Sequence, residues 1–252
     1  MIYYFSGTGN SRYVAGHIAQ LTGEELADIG SSIPNISPST TVLGLIFPVY
    51  GWHMPCIVEH FIRQIEHRNS LPKDIYTFAV LTCGDDIGHT HHLLRRALAR
   101  RGLRLNAVFS VIMPNTYVSL PGFDIDPPVL QQEKMRQCVE RISGISSIVR
   151  HKREVTDVHP GAFAWLKTYA LGRLFRSFLM SDRRFRTTKG CVGCRKCEAV
   201  CPARNIKADK QGHPVWQGHC TMCLACYHNC PTHSIEYGAF TKGKGQYICK
   251  LQ

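Results

Sequence analysis

Two stretches of this chain, "CVGCRKCEAVCP" at 191–202 and "CTMCLACYHNCP" at 220–231, share the spacing C-x2-C-x2-C-x3-C-P. They also form an internal repeat, since "CPARNIKAD" follows the first run and "CPTHSIEYG" the second. Eight of the twelve cysteines fall in these runs; Cys56, Cys83, Cys138 and Cys249 are scattered. Three thiolates on one tight loop can reach three irons of a single cubane. The fourth lies past the turn on a short helix, and Pro202 or Pro231 keeps the chain from doubling back. In this bacterial spacing the fourth cysteine of each run serves the other centre. Cys191, Cys194, Cys197 and Cys230 are therefore expected to hold one [4Fe–4S] cluster, and Cys220, Cys223, Cys226 and Cys201 the second. Zinc also takes C-x2-C pairs, but a tetrahedral site has no use for three cysteines plus Cys-Pro, twice over.

The charge is as uneven as the cysteines. Residues 1–150 carry 13 Lys+Arg against 12 Asp+Glu, whereas residues 151–252 carry 17 against 6. Each oxidised cluster with its thiolates subtracts about two charges, which leaves the second half basic. Such a surface suits the steering of an acidic redox partner, such as a ferredoxin, a flavodoxin or a reductase; solubility is the plainer use. No helix-turn-helix or zinc-finger pattern supports nucleic-acid binding. No basic leader precedes the strand-like segment from Ile2, and no apolar run approaches the roughly 18 residues of a membrane span. Thiols in a chain without an export signal point to a reducing compartment, so a cytoplasmic protein is expected.

The first half alternates strand and helix signals. Strand-like runs lie near 1–5, 24–29, 41–48, 75–82 and 105–112, and helical patterns near 11–22, 55–67, 89–101 and 129–150. Five strands with intervening helices predict a parallel sheet covered on both faces. The polar stretch "RHKREVTDVHPG" (150–161) reads as a boundary. It divides the chain into residues 1–151, a linker with an amphipathic helix over 152–186, the cysteine domain 187–238 and a basic tail 239–252. "AFAWLKTYALGRLFRSFLM" (162–180) has a wide apolar face, and Lys167, Arg173 and Arg176 exclude a span. It is expected to pack on its own domains, with peripheral association on a membrane surface as the alternative.

"MIYY" at the start of the chain runs directly into "FSGTGNS" (5–11). The third glycine of a dinucleotide fingerprint is replaced by Arg12, and the Gly-Lys-Ser/Thr of a P-loop is absent. What remains is Ser6, Gly7, Thr8, Gly9, Asn10 and Ser11 between a strand and a helix. Hydroxyls and backbone N–H groups at a helix N-terminus suit a terminal phosphate monoester.

On these residues the chain resembles the flavodoxins, whose FMN phosphate loop has this Ser/Thr-x-Thr-Gly-x-Ser/Thr form. The resemblance implies a doubly wound α/β sheet in the order 2-1-3-4-5, with FMN at the switch point between strands 1 and 3. "FPVYGWHMP" (47–55) would then bend past the isoalloxazine through Pro48, Val49, Tyr50 and Gly51, with Tyr50 or Trp52 stacked on the ring. "LTCGDDIG" (81–88) would flank the ring through Thr82, Cys83, Gly84 and Asp85. Asp85 and Asp86 would either lie near the ring or cap the helix that follows. Joined to a small α+β domain of the bacterial 2[4Fe–4S] ferredoxin type, this half is similar to the flavodoxin–ferredoxin fusion proteins, the iron–sulfur flavoproteins of anaerobes.

The resemblance implies electron transfer between two [4Fe–4S] clusters and FMN, coupling one- and two-electron steps. A flavin-dependent reductase of a quinone, nitro compound or activated alkene is the alternative; it needs an open pocket beside the ring, walled by Trp52, His53 and residues 113–125. A redox sensor acting through the basic half is a third reading. "GHTHH" (88–92) reads as a solvated helix start rather than a metal site, and Cys56 and Cys138 as small core residues.

Overall fold

A computed structural model describes residues 1–66, 71–72, 74–178 and 180–250. The expected helix end at 67, position 179 and the last two residues of the tail lie outside the described residues. Six strands, β1 Ile2–Tyr4, β2 Leu26–Asp28, β3 Val42–Pro48, β4 Tyr76–Cys83, β5 Ala107–Ile112 and β6 Val155–Asp157, form one sheet in the order β2-β1-β3-β4-β5-β6. Every neighbouring pair is parallel. The first five strands thus stand in the flavodoxin order.

Strand residues point alternately to opposite faces, and the two cores follow from that alternation. Ile2 and Tyr4 of β1, Ile46 of β3 and Phe78 and Val80 of β4 pack against α1 (Asn10–Thr22) and α4 (Pro128–Arg150). Tyr3, Leu43, Leu45, Phe47, Ala79 and Leu81 pack on the other face against α2 (Cys56–Gln64) and α3 (Thr90–Ala99). Each large side chain removed from water here contributes about 1.5–3 kcal/mol. The central strands β1, β3, β4 and β5 read as largely apolar runs because both faces are covered, whereas the edge strands β2 and β6 do not.

β6 is a sixth strand, in a segment expected to be a polar boundary. It pairs with β5 through Ala107↔Val155, Val108↔Thr156 and Phe109↔Asp157, so the sheet unit runs past residue 151 to at least Asp157. Three residues flanked by Arg153 and Glu154 are too short to display a period of two.

The segment expected as one helix is a composite of α5 (Ala164–Leu166), a π-helical turn at Lys167–Leu171 and α6 (Gly172–Phe178). It lies over the loops that follow β3 and β4. Thr168 is fully buried, and its Oγ1 accepts from the His89 N–H at 2.8 Å. A Cβ on Gly172 would lie 2.6 Å from the His53 ring. Small residues on the inner face are what allow this close approach.

The second half is a small α+β unit. Antiparallel β7 (Phe185–Thr187) pairs with β10 (Ile235–Tyr237), and β8 (Ile206–Ala208) with β9 (Pro214–Trp216). α7 (Lys196–Ala199) and α8 (Ala225–His228) each follow a cysteine loop. Its core holds Phe185, Ile206, Tyr227, Ile235 and Tyr237, and Val118 of the first half inserts into it. The tail is not free. Lys244 Nζ donates to the Val118 carbonyl at 2.8 Å, and Gln246 Nε2 donates to the carbonyls of Tyr227 and Cys230 at 2.6 and 3.0 Å.

Candidate functional site

The cysteine repeat is repeated in the backbone. Gly193 and Met222, each directly before the second cysteine of its run, have φ of 66° and 54°. Arg195 and Leu224, directly after it, have φ of 59° and 58°, and Arg204 and His233 both have φ of 50°. Left-handed backbone costs a non-glycine residue on the order of 1–3 kcal/mol and persists where the surroundings demand it. Alternating right- and left-handed residues turn successive N–H groups inward around a loop, a geometry that holds anions. Sulfur atoms receive some of these donors: Asn205 N–H donates to Cys201 Sγ at 3.2 Å and Ser234 N–H to Cys230 Sγ at 3.2 Å, four residues on in each repeat. Met222 N–H donates to Cys220 Sγ at 3.3 Å.

Cys201, Cys220, Cys223 and Cys226 line one small cavity, closed by Ile206 and Trp216. That is the crossed set read from the spacing, three cysteines of the second run with the fourth of the first. Burial, followed by the neighbouring Cys223, Cys220 and Cys201 sulfurs, drives the Cys226 thiol far above its ordinary pKa. Burial pushes Cys223 up to about 11, against opposing N–H bonds. Thiols crowded in this way stay protonated unless a cation among them offsets the charge, and iron is such a cation. The donor set, four cysteines, is the one an iron–sulfur cubane takes. Among the described residues, no group of three or more His, Cys, Asp or Glu converges on a single-metal site; a cubane takes each thiolate on a different iron.

The other set differs in exposure. Cys194 is exposed, Cys191 and Cys197 are half-buried, and Cys230 is buried. Cys197 packs against the core that contains Cys230, and burial raises its thiol to about 11.

Sequence reasoning missed the brace between the two runs. Asp182 is buried and its Oδ2 accepts from Asn205 Nδ2 at 2.9 Å and from the Gly218 N–H at 2.8 Å. Asn205 Oδ1 accepts from the His219 N–H at 2.7 Å. The only local signal is an Asn four residues after a ligand cysteine.

The three loops expected to hold FMN do meet at the carboxyl end of the sheet. Gly9, with φ of 96°, precedes α1, and its N–H donates to Ser6 Oγ at 3.1 Å. Ser11 Oγ and Thr82 Oγ1 share a hydrogen bond of 2.7 Å, linking the first and third loops, and Val49 N–H donates to the Thr82 carbonyl at 2.9 Å. Asn10 Nδ2 donates to the Pro114 carbonyl at 2.9 Å. The hydroxyls and N–H groups are of the kind a phosphate monoester needs. The space around them is taken by the chain itself.

A Cβ on Gly7 would lie 2.5 Å from the Cys223 carbonyl oxygen, and one on Gly9 2.6 Å from the Cys249 carbonyl oxygen. Cys249 N–H donates to the Thr8 carbonyl at 2.9 Å. Thr8, Asn10 and Ser11 are buried beneath these contacts. Trp52, expected to stack on a ring, donates from Nε1 to Asp86 Oδ1 at 2.9 Å and so bridges the two loops that would sandwich it. Asp86 caps no helix. Its second oxygen pairs with Lys167 at 2.5 Å, and Gly51 packs on Phe175. Tyr50 is half-buried, its hydroxyl pKa driven far up by desolvation and then by Cys223 and Cys220. Cys83 is buried, and Gly84 offers its carbonyl to Lys134 Nζ at 2.9 Å. The Trp52–Asp86 hydrogen bond and the Lys167–Asp86 pair thus tie the second and third loops to each other and to the 164–178 segment.

Within residues 113–125, Val118 packs into the core of the second half and Ser119 is buried, whereas 121–124 are exposed. One further expectation is corrected. The histidine stretch is not simply solvated: His91 is buried with Nδ1 unpartnered, and burial, followed by His92 and His89, lowers its pKa to about 4.

The family model "4Fe-4S dicluster domain" matches residues 184–231. A component of an ion-translocating oxidoreductase complex from Methanosarcina acetivorans is 45% identical over 47 residues, which cover 19% of this chain and 18% of that protein. The chain thus spans less than a fifth of that relative's length. Among solved structures, an FMN-dependent NADH-azoreductase from Bacillus anthracis aligns with a TM-score of 0.43 and 9% identity, over 59% of this chain and 98% of its own. An NAD(P)H:quinone oxidoreductase from Methanothermobacter marburgensis aligns with a TM-score of 0.42 and 13% identity, over 60% and 96%. No helix among the described residues is long and apolar enough to cross a membrane. The first five strands stand in the flavodoxin order, and the 4Fe–4S dicluster match lies in the part of the chain that follows the sheet.

Proposed function

We propose that this chain is an electron-transfer iron–sulfur flavoprotein, with an outer [4Fe–4S] centre on Cys191, Cys194, Cys197 and Cys230 and an inner one on Cys201, Cys220, Cys223 and Cys226. One observation carries the reading: the cavity lined by the inner four cysteines abuts the Ser6–Ser11 loop, through the Cys223 carbonyl on Gly7. When bound, the clusters would carry single electrons, and an FMN would exchange one or two.

The chain's own residues set the order. Exposed Cys194 gives a docked partner its nearest approach to an outer ligand. The N–H donors on Cys201, Cys220 and Cys230 stabilise thiolate charge, and Asp182 with Asn205 holds the two runs in register. The basic second half favours an acidic partner. Residues 6–11, 48–52 and 82–85 are the candidate FMN contacts, and loading them requires the Cys223 loop, the tail and the 164–178 segment to shift. Residues 1–157 would form the flavodoxin-like unit, and 185–250 the ferredoxin-like unit with its tail. A cytoplasmic location accords with this role.

The test is anaerobic purification with iron, sulfide and flavin analysis and low-temperature electron paramagnetic resonance. Roughly eight irons per chain in two coupled centres are expected. Zinc in place of iron, or one centre, would overturn the assignment. A second reading, reductase of a small anionic acceptor, is favoured by a cleft of about 590 Å³ beside Cys220, lined by Ser177, Ser181, Asp182, Arg183 and Arg184. Turnover with small acceptors that Arg183→Glu abolishes would favour it.

A further inference from the structure

We propose that the outward face of residues 163–174 docks this protein on an anionic lipid surface. Helices on globular proteins turn their apolar side inward. This segment keeps only part of its apolar side inside. Its inner side is Thr168 and Gly172, with Phe175 against Gly51 and Tyr117 and with Lys167 and Arg176 drawn in by Asp86 and Glu59; Arg176 Nη1 lies 2.5 Å from Glu59 Oε1. Its outer side carries Phe163, Trp165 and Leu174, which are 80%, 63% and 58% exposed, together with exposed Leu166 and Leu171. Five large apolar side chains on twelve residues form the densest such stretch on the described surface, where other exposed apolar residues are scattered. Scattered ones need no explanation, but a contiguous patch does.

Charge selects the occupant. No Asp or Glu occurs between Asp157 and Asp182, a stretch that holds the whole face. Lys167 and Arg176 are spent on internal pairs, which leaves Arg173 exposed between Leu171 and Leu174, with Arg183 and Arg184 exposed further along the chain. An acidic soluble protein would satisfy these bases but not the apolar residues. A second copy would bring the same bases into repulsion. An anionic headgroup layer meets both needs, because arginines take the phosphates while Leu, Phe and Trp enter the acyl boundary. Phe163 and Trp165 stand together at one end, and Trp is the side chain most favoured at that depth. Phe163, with a φ of 52°, directly precedes α5. Bound flat, the segment would hold the adjoining cysteine domain at the membrane surface, within reach of a lipid-embedded redox partner.

The experiment is co-sedimentation of the anaerobic, cluster-loaded full chain with vesicles of phosphatidylglycerol and phosphatidylcholine, compared with phosphatidylcholine alone. Binding to the anionic vesicles at least about tenfold tighter than to the neutral ones, and weakened by salt, is expected. The double substitution Leu166→Glu and Leu174→Glu should reduce it by about a hundredfold at unchanged iron content. If that variant folds poorly, quenching of Trp165 by brominated acyl chains in the unaltered protein, judged against Trp165→Phe, decides the matter. Equal or absent binding to both vesicles, absence of quenching, or a dimer that the double variant dissolves would each overturn the proposal.

Discussion

The two cysteine runs have one spacing and one backbone course, yet they stand in different surroundings. Between its second and third cysteines the first run has Arg195 and Lys196, and the second has Leu224 and Ala225. Arg195 is exposed and pairs with Glu198 at 2.9 Å, whereas Leu224 and Ala225 are buried. Cys194 faces solvent, and Cys223 lies against Gly7 of the other half. A duplicated ligand loop can thus serve two roles, one facing a partner and one facing the rest of its own chain. Solvent and nearby cations favour the added negative charge of reduction, and burial opposes it. The outer centre should therefore reduce at the higher potential.

The largest effect tests the crossed ligation. Cys201→Ser should remove the inner centre and the lower-potential wave of an anaerobic titration, with loss of about half the iron. Cys230→Ser should remove the outer centre and the higher wave. Loss of the centre in the same run would reverse the assignment.

Next in size is the asymmetry of the braces. Asn205→Ala strips partners from Asp182 and His219, and should cost about 1–3 kcal/mol with faster loss of the inner centre. Its counterpart Ser234 makes only local side-chain bonds, with Thr232 Oγ1 at 2.8 Å, and Ser234→Ala should cost about 0.5–1 kcal/mol. Equal effects in thermal melts would deny that the inner run is the braced one. Gly7→Ala places a methyl group on the Cys223 carbonyl and should cost about 1–2 kcal/mol, read as solvent access to the inner but not the outer centre. Unchanged hydrogen exchange at Cys223 would show that the halves do not meet there.

The smallest effect concerns the closed crevice. Asp86→Asn keeps an acceptor for Trp52 and removes the charge that Lys167 pairs with. FMN binding, followed by flavin fluorescence, should tighten about fivefold, corresponding to about 1 kcal/mol for a partly buried pair. Stoichiometric FMN already seated in the unaltered chain would show that the loops open without this release.

Much of the architecture was legible along the chain. Apolar runs marked β1, β3, β4 and β5, and helical periodicity placed α1 to α4 within a few residues of their observed ends. β6 escaped because three residues at a sheet edge have too little pattern to stand out from charged neighbours. The Asp182–Asn205 brace escaped because a buried carboxylate looks like any surface Asp until its partners are folded around it. Gly7 was legible as a turn glycine. That it also makes room for Cys223, from the far end of the chain, was not.

The cysteine repeat and the parallel sheet are legible in the sequence itself, because thiol spacing and side-chain periodicity are properties of neighbouring residues. Which centre lies inside, what fills the carboxyl end of the sheet and which way the 163–174 face points were decided only in three dimensions. Those outcomes depend on backbone groups from distant segments competing for the same small volume, and no local pattern records who wins that space.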